Sequence, residues 1–181
     1  SKRMHERPLK PLIDCLEELG SEIKYLDNKG FPPIQIKSKK LKSKKLDLKG
    51  DISSQFISAL LMVAPTIENG LNIEINSKVL SKPYIDMTLN LMNEFGIKYI
   101  WKDNLIEIKE QNYLVKNIKV ENDWSAASFW YSFLALSFSG EIKIPNLYAN
   151  SIQGDSVLSS IYSKLGVKTE FNKNSIILSK T

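Results

Sequence analysis

One cysteine, one histidine and two arginines are all that 181 residues contain of those types, and each scarcity removes a class of function. Cys15 has no partner for an internal disulfide, and without a Cys/His cluster there is no zinc site to read. A reducing, cytoplasmic setting is the expectation. No apolar run reaches the roughly 18 to 20 residues of a membrane span, and the opening Ser1-Lys2-Arg3-Met4-His5-Glu6-Arg7 lacks the apolar stretch of a signal peptide. The lone His5 has no nearby Ser or Cys in a triad-like motif and reads as a surface or packing residue. Neither a P-loop nor a G-x-G-x-x-G is present. What remains, 43% hydrophobic and 25% charged, suffices for one or two packed cores.

The net charge of +5 is local. Residues 37–49 hold seven lysines and one aspartate, a charge of +6, so the rest of the chain is close to neutral. Such a run can bind polyanions, which is the alternative functional reading, a nucleic-acid-binding module. No aromatic residue interleaves the lysines to supply base stacking, and a solvated hairpin is the preferred reading. The two arginines, Arg3 and Arg7, stand close together in a chain that otherwise uses lysine, 23 times. Arginine offers a planar fork for carboxylate or phosphate that lysine cannot copy.

An internal repeat organises the sequence. Leu19-Gly20, Phe95-Gly96 and Leu165-Gly166 each end a helical stretch and lead into a strand, and the three glycines are nearly evenly spaced. Glycine suits the left-handed position that closes a helix. Around them the patterning predicts strand 46–48, an apolar helix from Asp51-Ile52-Ser53-Ser54-Gln55 to residue 64, and strand 71–75. A second helix opens at Ser81, with Leu89, Met92 and Phe95 on one face, followed by strands 97–101 and 105–108. The order is β-α-β-α-β-β. It recurs as strand 118–120, a helix from Asp123-Trp124-Ser125 through 138, strand 141–144, a helix capped by Asp155 and running to 164, and strands 167–171 and 175–178. Asp51-Ile52-Ser53 and Asp123-Trp124-Ser125 occupy the same point of successive copies. Residues 8–19 (helix), 22–26 and 34–36 (strands) make the second half of another copy. About two and a half units are therefore expected, in an α/β (α+β) fold. A repeat lacking its first half would leave sheet and helix faces uncovered, which points to a piece of a longer protein.

Two loops open helices with hydrogen-bond donors. Ser53-Ser54-Gln55 offers two hydroxyls and an amide, and Ser81-Lys82-Pro83-Tyr84 a hydroxyl, an ammonium and a phenol, with Pro83 suited to a first helical turn. Helix N-termini favour anions through free N–H groups and the macrodipole. In a β-α-β-α unit both helices start on the same side of the sheet, so the loops can converge; helix capping is the competing account of each loop alone. Asp86 could accept a proton, but a first-turn aspartate favouring the helix dipole is the preferred reading. Trp124, Trp130, Tyr131 and Phe133 lie in a helix apolar all round, which signals burial and not a cofactor box.

Four segments carry a resemblance: Arg3-Met4-His5-Glu6-Arg7-Pro8-Leu9, Gly50-Asp51-Ile52-Ser53-Ser54-Gln55-Phe56, Ser81-Lys82-Pro83-Tyr84-Ile85-Asp86-Met87-Thr88 and Asn150-Ser151-Ile152-Gln153-Gly154-Asp155. In this order they resemble successive motifs of the EPSP synthase family. The resemblance implies two globular domains, each of three β-α-β-α-β-β units, closing over substrate at a hinge near residues 120–123. Residues 1–120 would belong to the domain that binds shikimate phosphate, and 121–181 would form one unit of the other. It implies enolpyruvyl transfer from phosphoenolpyruvate to the 5-hydroxyl of shikimate 3-phosphate, in the shikimate pathway of aromatic amino acid biosynthesis, by a monomer without cofactor or metal. Ser53, Ser54, Gln55, Ser81 and Tyr84 would hold shikimate 3-phosphate, and Arg3, with Gln55, phosphoenolpyruvate. No residue here matches the family's N-terminal lysine or its later acidic and basic groups, so the chain alone is expected to be inactive. Two departures stand out: residues 37–49 are lysine-rich where relatives often carry glycines, and Trp124 stands where small residues are usual.

Overall fold

The computed structural model describes residues 2–37, 39–49, 52–77, 79 and 81–181. The chain divides into two compact units, Ser1–Val115 and Lys116–Thr181, each with its own core.

In the first unit, a 3-10 turn at Lys2–Glu6 precedes helix α1 (Lys10–Glu18), with a proline in its first turn, and an antiparallel hairpin of β1 (Glu22–Tyr25) and β2 (Ile34–Lys37). The next unit of the repeat runs β3 (Lys45–Leu48), α2 (Ser54–Val63), β4 (Leu71–Ile75), α3 (Lys82–Glu94), β5 (Tyr99–Lys102) and β6 (Leu105–Ile108). Its sheet has the order β3-β4-β6-β5, with β3 parallel to β4 and the other pairs antiparallel. Alternation decides which faces are buried: Leu46 and Leu48 of β3, and Leu71, Ile73 and Ile75 of β4, point into the core, while their neighbours are wet. Ile57, Leu60 and Leu61 of α2 and Ile85, Leu89 and Met92 of α3 cover that face, joined by Cys15 and Leu19 of α1. Ile97, read as part of a strand, is buried in the same core ahead of β5.

The second unit comprises α4 (Trp124–Leu136), β7 (Glu141–Pro145), a 3-10 turn at Gly154–Val157, α5 (Leu158–Ser163), β8 (Val167–Asn172) and β9 (Ser175–Lys180), with sheet order β7-β9-β8, all antiparallel. The helix-ending glycines behave as the repeat required: Gly20, Gly96 and Gly166 have φ of 99°, 88° and 74°.

Three expectations fail in this unit. Residues 118–120 form no strand; Ile118 and Val120 are 42% and 76% exposed. Bonds from Lys180 N to Gly140 O and from Asn146 N to Asn174 O turn the even-numbered residues of β7 toward β9. Glu141, Lys143 and Pro145 therefore face the open edge, and Pro145 has no N–H to donate there. A single rung, Asn122 N to Asn146 O at 2.9 Å, is made. Second, Asp155 caps no long helix: it sits inside the 3-10 turn, its carboxylate accepts from the Ser125 hydroxyl, and α5 spans only Leu158–Ser163. Third, α4 is not buried all round. Trp124 and Tyr131 are fully buried, but Trp130 and Phe133 are 53% and 65% exposed, because the sheet covers one side of the helix only.

Candidate anion-binding site

The strongest candidate site lies where α2 and α3 begin. Because β3 and β4 run parallel, the helices that follow them run parallel to each other, and both start beyond the C-terminal ends of these strands. The two are joined by Ser58 Oγ and Thr88 Oγ1, 2.8 Å apart. Ser54 and Tyr84 each precede that contact by one turn, or about 6 Å of helix rise. The contact thus carries the two helix starts up side by side. The first turns of both helices contain no acidic residue, so no carboxylate there offsets the positive end of either helix dipole.

The two serine loops differ in their use of hydroxyls. Ser53 caps α2, its Oγ accepting from Gln55 N at 3.3 Å. Ser81 stands at the equivalent position of α3, yet its side chain makes no cap hydrogen bond. Capping therefore accounts for Ser53 and leaves the Ser81 hydroxyl without that role. Ser54 is half-buried, Gln55 exposed, and Tyr84 49% exposed with its backbone N–H held by Ser81 O at 3.1 Å. Gly50 and Asp51, part of the same motif, lie outside the described residues.

The ammonium of Lys82 is engaged elsewhere. It binds Asp86 Oδ1 and Oδ2 at 2.7 and 2.8 Å and lies 4.2 Å from the centroid of the Trp101 ring. Asp86 is past the first turn of α3, so its role is this ion pair and not a dipole contact, contrary to the sequence reading. The Lys82–Asp86 spacing is visible in the sequence; the Trp101 contact, made from β5, is not. Arg3 is exposed in the 3-10 turn at Lys2–Glu6. Among the described residues, no hydrogen bond or ion pair joins it to either serine loop. His5 is exposed in the same turn.

The lysine run is largely neutralised. Lys37 and Lys39 pair with Glu22, Lys40 with Glu68, Lys44 with Glu18 and Lys45 with Glu74. Hydrogen bonds from Lys39, Lys40 and Lys45 hold Glu22, Glu68 and Glu74 below their usual carboxylate range.

In the second unit, the segment Asn150–Asp155 is tied to Glu121, which sequence reasoning passed over. One carboxylate oxygen accepts from Trp124 Nε1 at 3.0 Å and Tyr148 N at 3.1 Å; the other accepts from Ser151 Oγ at 2.6 Å and Gln153 Nε2 at 3.0 Å. Gln153 returns its Oε1 to Trp124 N, at 3.0 Å. Asp123 caps α4 through Ser125 N at 2.8 Å. The unusual Trp124 is thus a buried member of a satisfied polar network, its indole N–H directed at Glu121.

The sequence model of the family EPSP synthase (3-phosphoshikimate 1-carboxyvinyltransferase) matches residues 1–181. A 3-phosphoshikimate 1-carboxyvinyltransferase of Bacteroides fragilis is 42% identical over 181 residues, 99% of this chain and 44% of its own length. One from Actinobacillus pleuropneumoniae is 40% identical over 174 residues, 92% of this chain and 39% of its own. The chain therefore spans less than half the length of these relatives. The solved EPSP synthase of Acinetobacter baumannii superposes with a TM-score of 0.71 at 19% identity, over 100% of this chain and 41% of the other, which establishes the shared fold. The chain belongs to the EPSP synthase family.

Proposed function

We propose that this chain supplies the shikimate 3-phosphate subsite of an enzyme that transfers the enolpyruvyl group of phosphoenolpyruvate to the 5-hydroxyl of shikimate 3-phosphate. Ser53, Ser54, Gln55, Ser81 and Tyr84 hold shikimate 3-phosphate; Arg3, with Gln55, engages phosphoenolpyruvate. Residues 1–120 belong to the domain that binds shikimate phosphate and 121–181 to the second domain, of a monomeric cytoplasmic enzyme. In the reaction the 5-hydroxyl oxygen gives up its proton and bonds to C2 of phosphoenolpyruvate as C3 takes up a proton, and the tetrahedral intermediate then loses phosphate from C2 and a proton from the C3 methyl to give the enolpyruvyl ether. Developing charge in such a step needs preorganised cations and a proton donor. The residues named above bind substrate, and the chain alone is expected to bind without turnover.

The observation that carries the reading is the pair of parallel helix starts, free of first-turn carboxylates, with a Ser81 hydroxyl that caps nothing. A phosphate needs such an array of donors. The pairing of five lysines in the 37–49 run with glutamates weighs against the alternative nucleic-acid module. Phosphate release from the two substrates is the test. The expected result is none from this chain and measurable release from a protein of the relatives' full length containing it; release by the chain alone would overturn the assignment of catalytic groups elsewhere.

A further inference from the structure

Lys82 is the first residue of α3, where the helix dipole disfavours a cation. Its pairing with Asp86 also runs lysine before acid, the less favourable order for an i,i+4 pair. The charge is nonetheless held on two sides, by both oxygens of Asp86 at 2.7 and 2.8 Å and by the Trp101 face at 4.2 Å. Trp101 is half-buried on β5, and its Nε1 donates to Asp103 O at 3.2 Å, which fixes the ring. The residues on either side of this anchor are Ser81 and, two positions on, Tyr84.

We infer that Lys82 is a positioning residue for the anion site: clamped between Asp86 and Trp101, it pins the first turn of α3 to β5 and so sets Ser81 and Tyr84, and it is not itself a ligand of the anion. This rests on the proposed role of Ser81 and Tyr84. The ammonium is neutralised by Asp86, so attraction for an anion falls to the helix N–H groups and hydroxyls. Arginine could keep both contacts, since it stacks on aromatic rings and pairs with carboxylates.

Asp86→Asn separates this account from its rivals by sign. If Lys82 were a phosphate ligand, or if charge alone mattered, removing a carboxylate beside the site would tighten anion binding. A clamp predicts the reverse: calorimetric affinity for shikimate 3-phosphate falls about threefold to tenfold in Asp86→Asn, Lys82→Met and Trp101→Leu, as expected for loss of an exposed cation–π or ion-pair contact, and stays within about twofold of wild type in Lys82→Arg. Unchanged or tighter binding in Asp86→Asn overturns the inference. Amide hydrogen exchange over residues 81–85 tests the clamp without ligand. Exchange there speeds up in Asp86→Asn and Trp101→Leu, with the rest of α3 unchanged. If wild type binds no shikimate 3-phosphate, the site assignment fails, and the exchange result still decides the clamp; equal exchange in variants and wild type overturns it.

Discussion

Ser58 Oγ lies 2.8 Å from Thr88 Oγ1, and Thr88 Oγ1 donates to Tyr84 O at 3.0 Å. A threonine hydroxyl has one hydrogen, so Ser58 must be the donor in the first bond. The two form a directed relay from α2 through α3 to the carbonyl of Tyr84, a proposed ligand residue. Thr88→Val strands the Ser58 hydroxyl in a half-buried contact and should cost about 1 to 2 kcal/mol in urea unfolding. Adding Ser58→Ala should recover part of that loss, because two apolar partners leave nothing unsatisfied.

The two serines at helix starts should respond differently to alanine. Ser53 caps α2, so Ser53→Ala should lower stability by about 1 kcal/mol. Ser81 caps nothing, so Ser81→Ala should change stability by less than about 0.5 kcal/mol. Thermal unfolding of the two variants checks the contrast.

Glu121 accepts four hydrogen bonds in the second unit. Glu121→Ala leaves the Trp124 indole and the Gln153 amide of a part-buried network without their acceptor, at a cost of about 2 to 4 kcal/mol. Hydrogen exchange should localise the loss to residues 116–181, with protection in the first unit retained. Glu121→Gln keeps one acceptor oxygen and should fall between.

Burial pushes the Cys15 thiol up, assisted by the nearby Glu18 and Asp14 carboxylates. A group raised in the folded state contributes stability that is complete below its unfolded value, about 8.5 for a thiol, and is lost as pH rises through the folded value. Stability of the wild type should therefore decline above about pH 8.5, and less steeply in Cys15→Ala. A thiol reagent at neutral pH should label Cys15 only after denaturant is added, since the side chain is buried.

Where the fold was legible in the sequence, its cause was local. Gly20, Gly96 and Gly166 mark helix ends because a left-handed residue is a property of one position, and Leu46 and Leu48 alternate because their strand has one dry face. The failures are non-local. Residues 118–120 carry the same alternation, but pairing depends on a distant edge, where Pro145 offers no donor. The apolar pattern of α4 gives no sign of which side its sheet will cover, so the exposure of Trp130 and Phe133 could not be read from it. At the site, a capping role for Ser53 follows from its place before a helix, whereas Asp86 reads from sequence as a dipole contact and not as the partner of Lys82, and the Ser58–Thr88 relay and the Lys82–Trp101 contact join separate elements of the chain.

Calorimetric titration of wild type and Ser81→Ala decides whether the starts of α2 and α3 bind the phosphate of shikimate 3-phosphate. Wild type should give saturable heat with shikimate 3-phosphate and none with shikimate. Ser81→Ala, with an unchanged unfolding temperature, should bind about tenfold or more weakly, in line with the loss of a hydrogen bond to a charged group. Equal heats from the two proteins, or equal heats from the two ligands, would contradict the account.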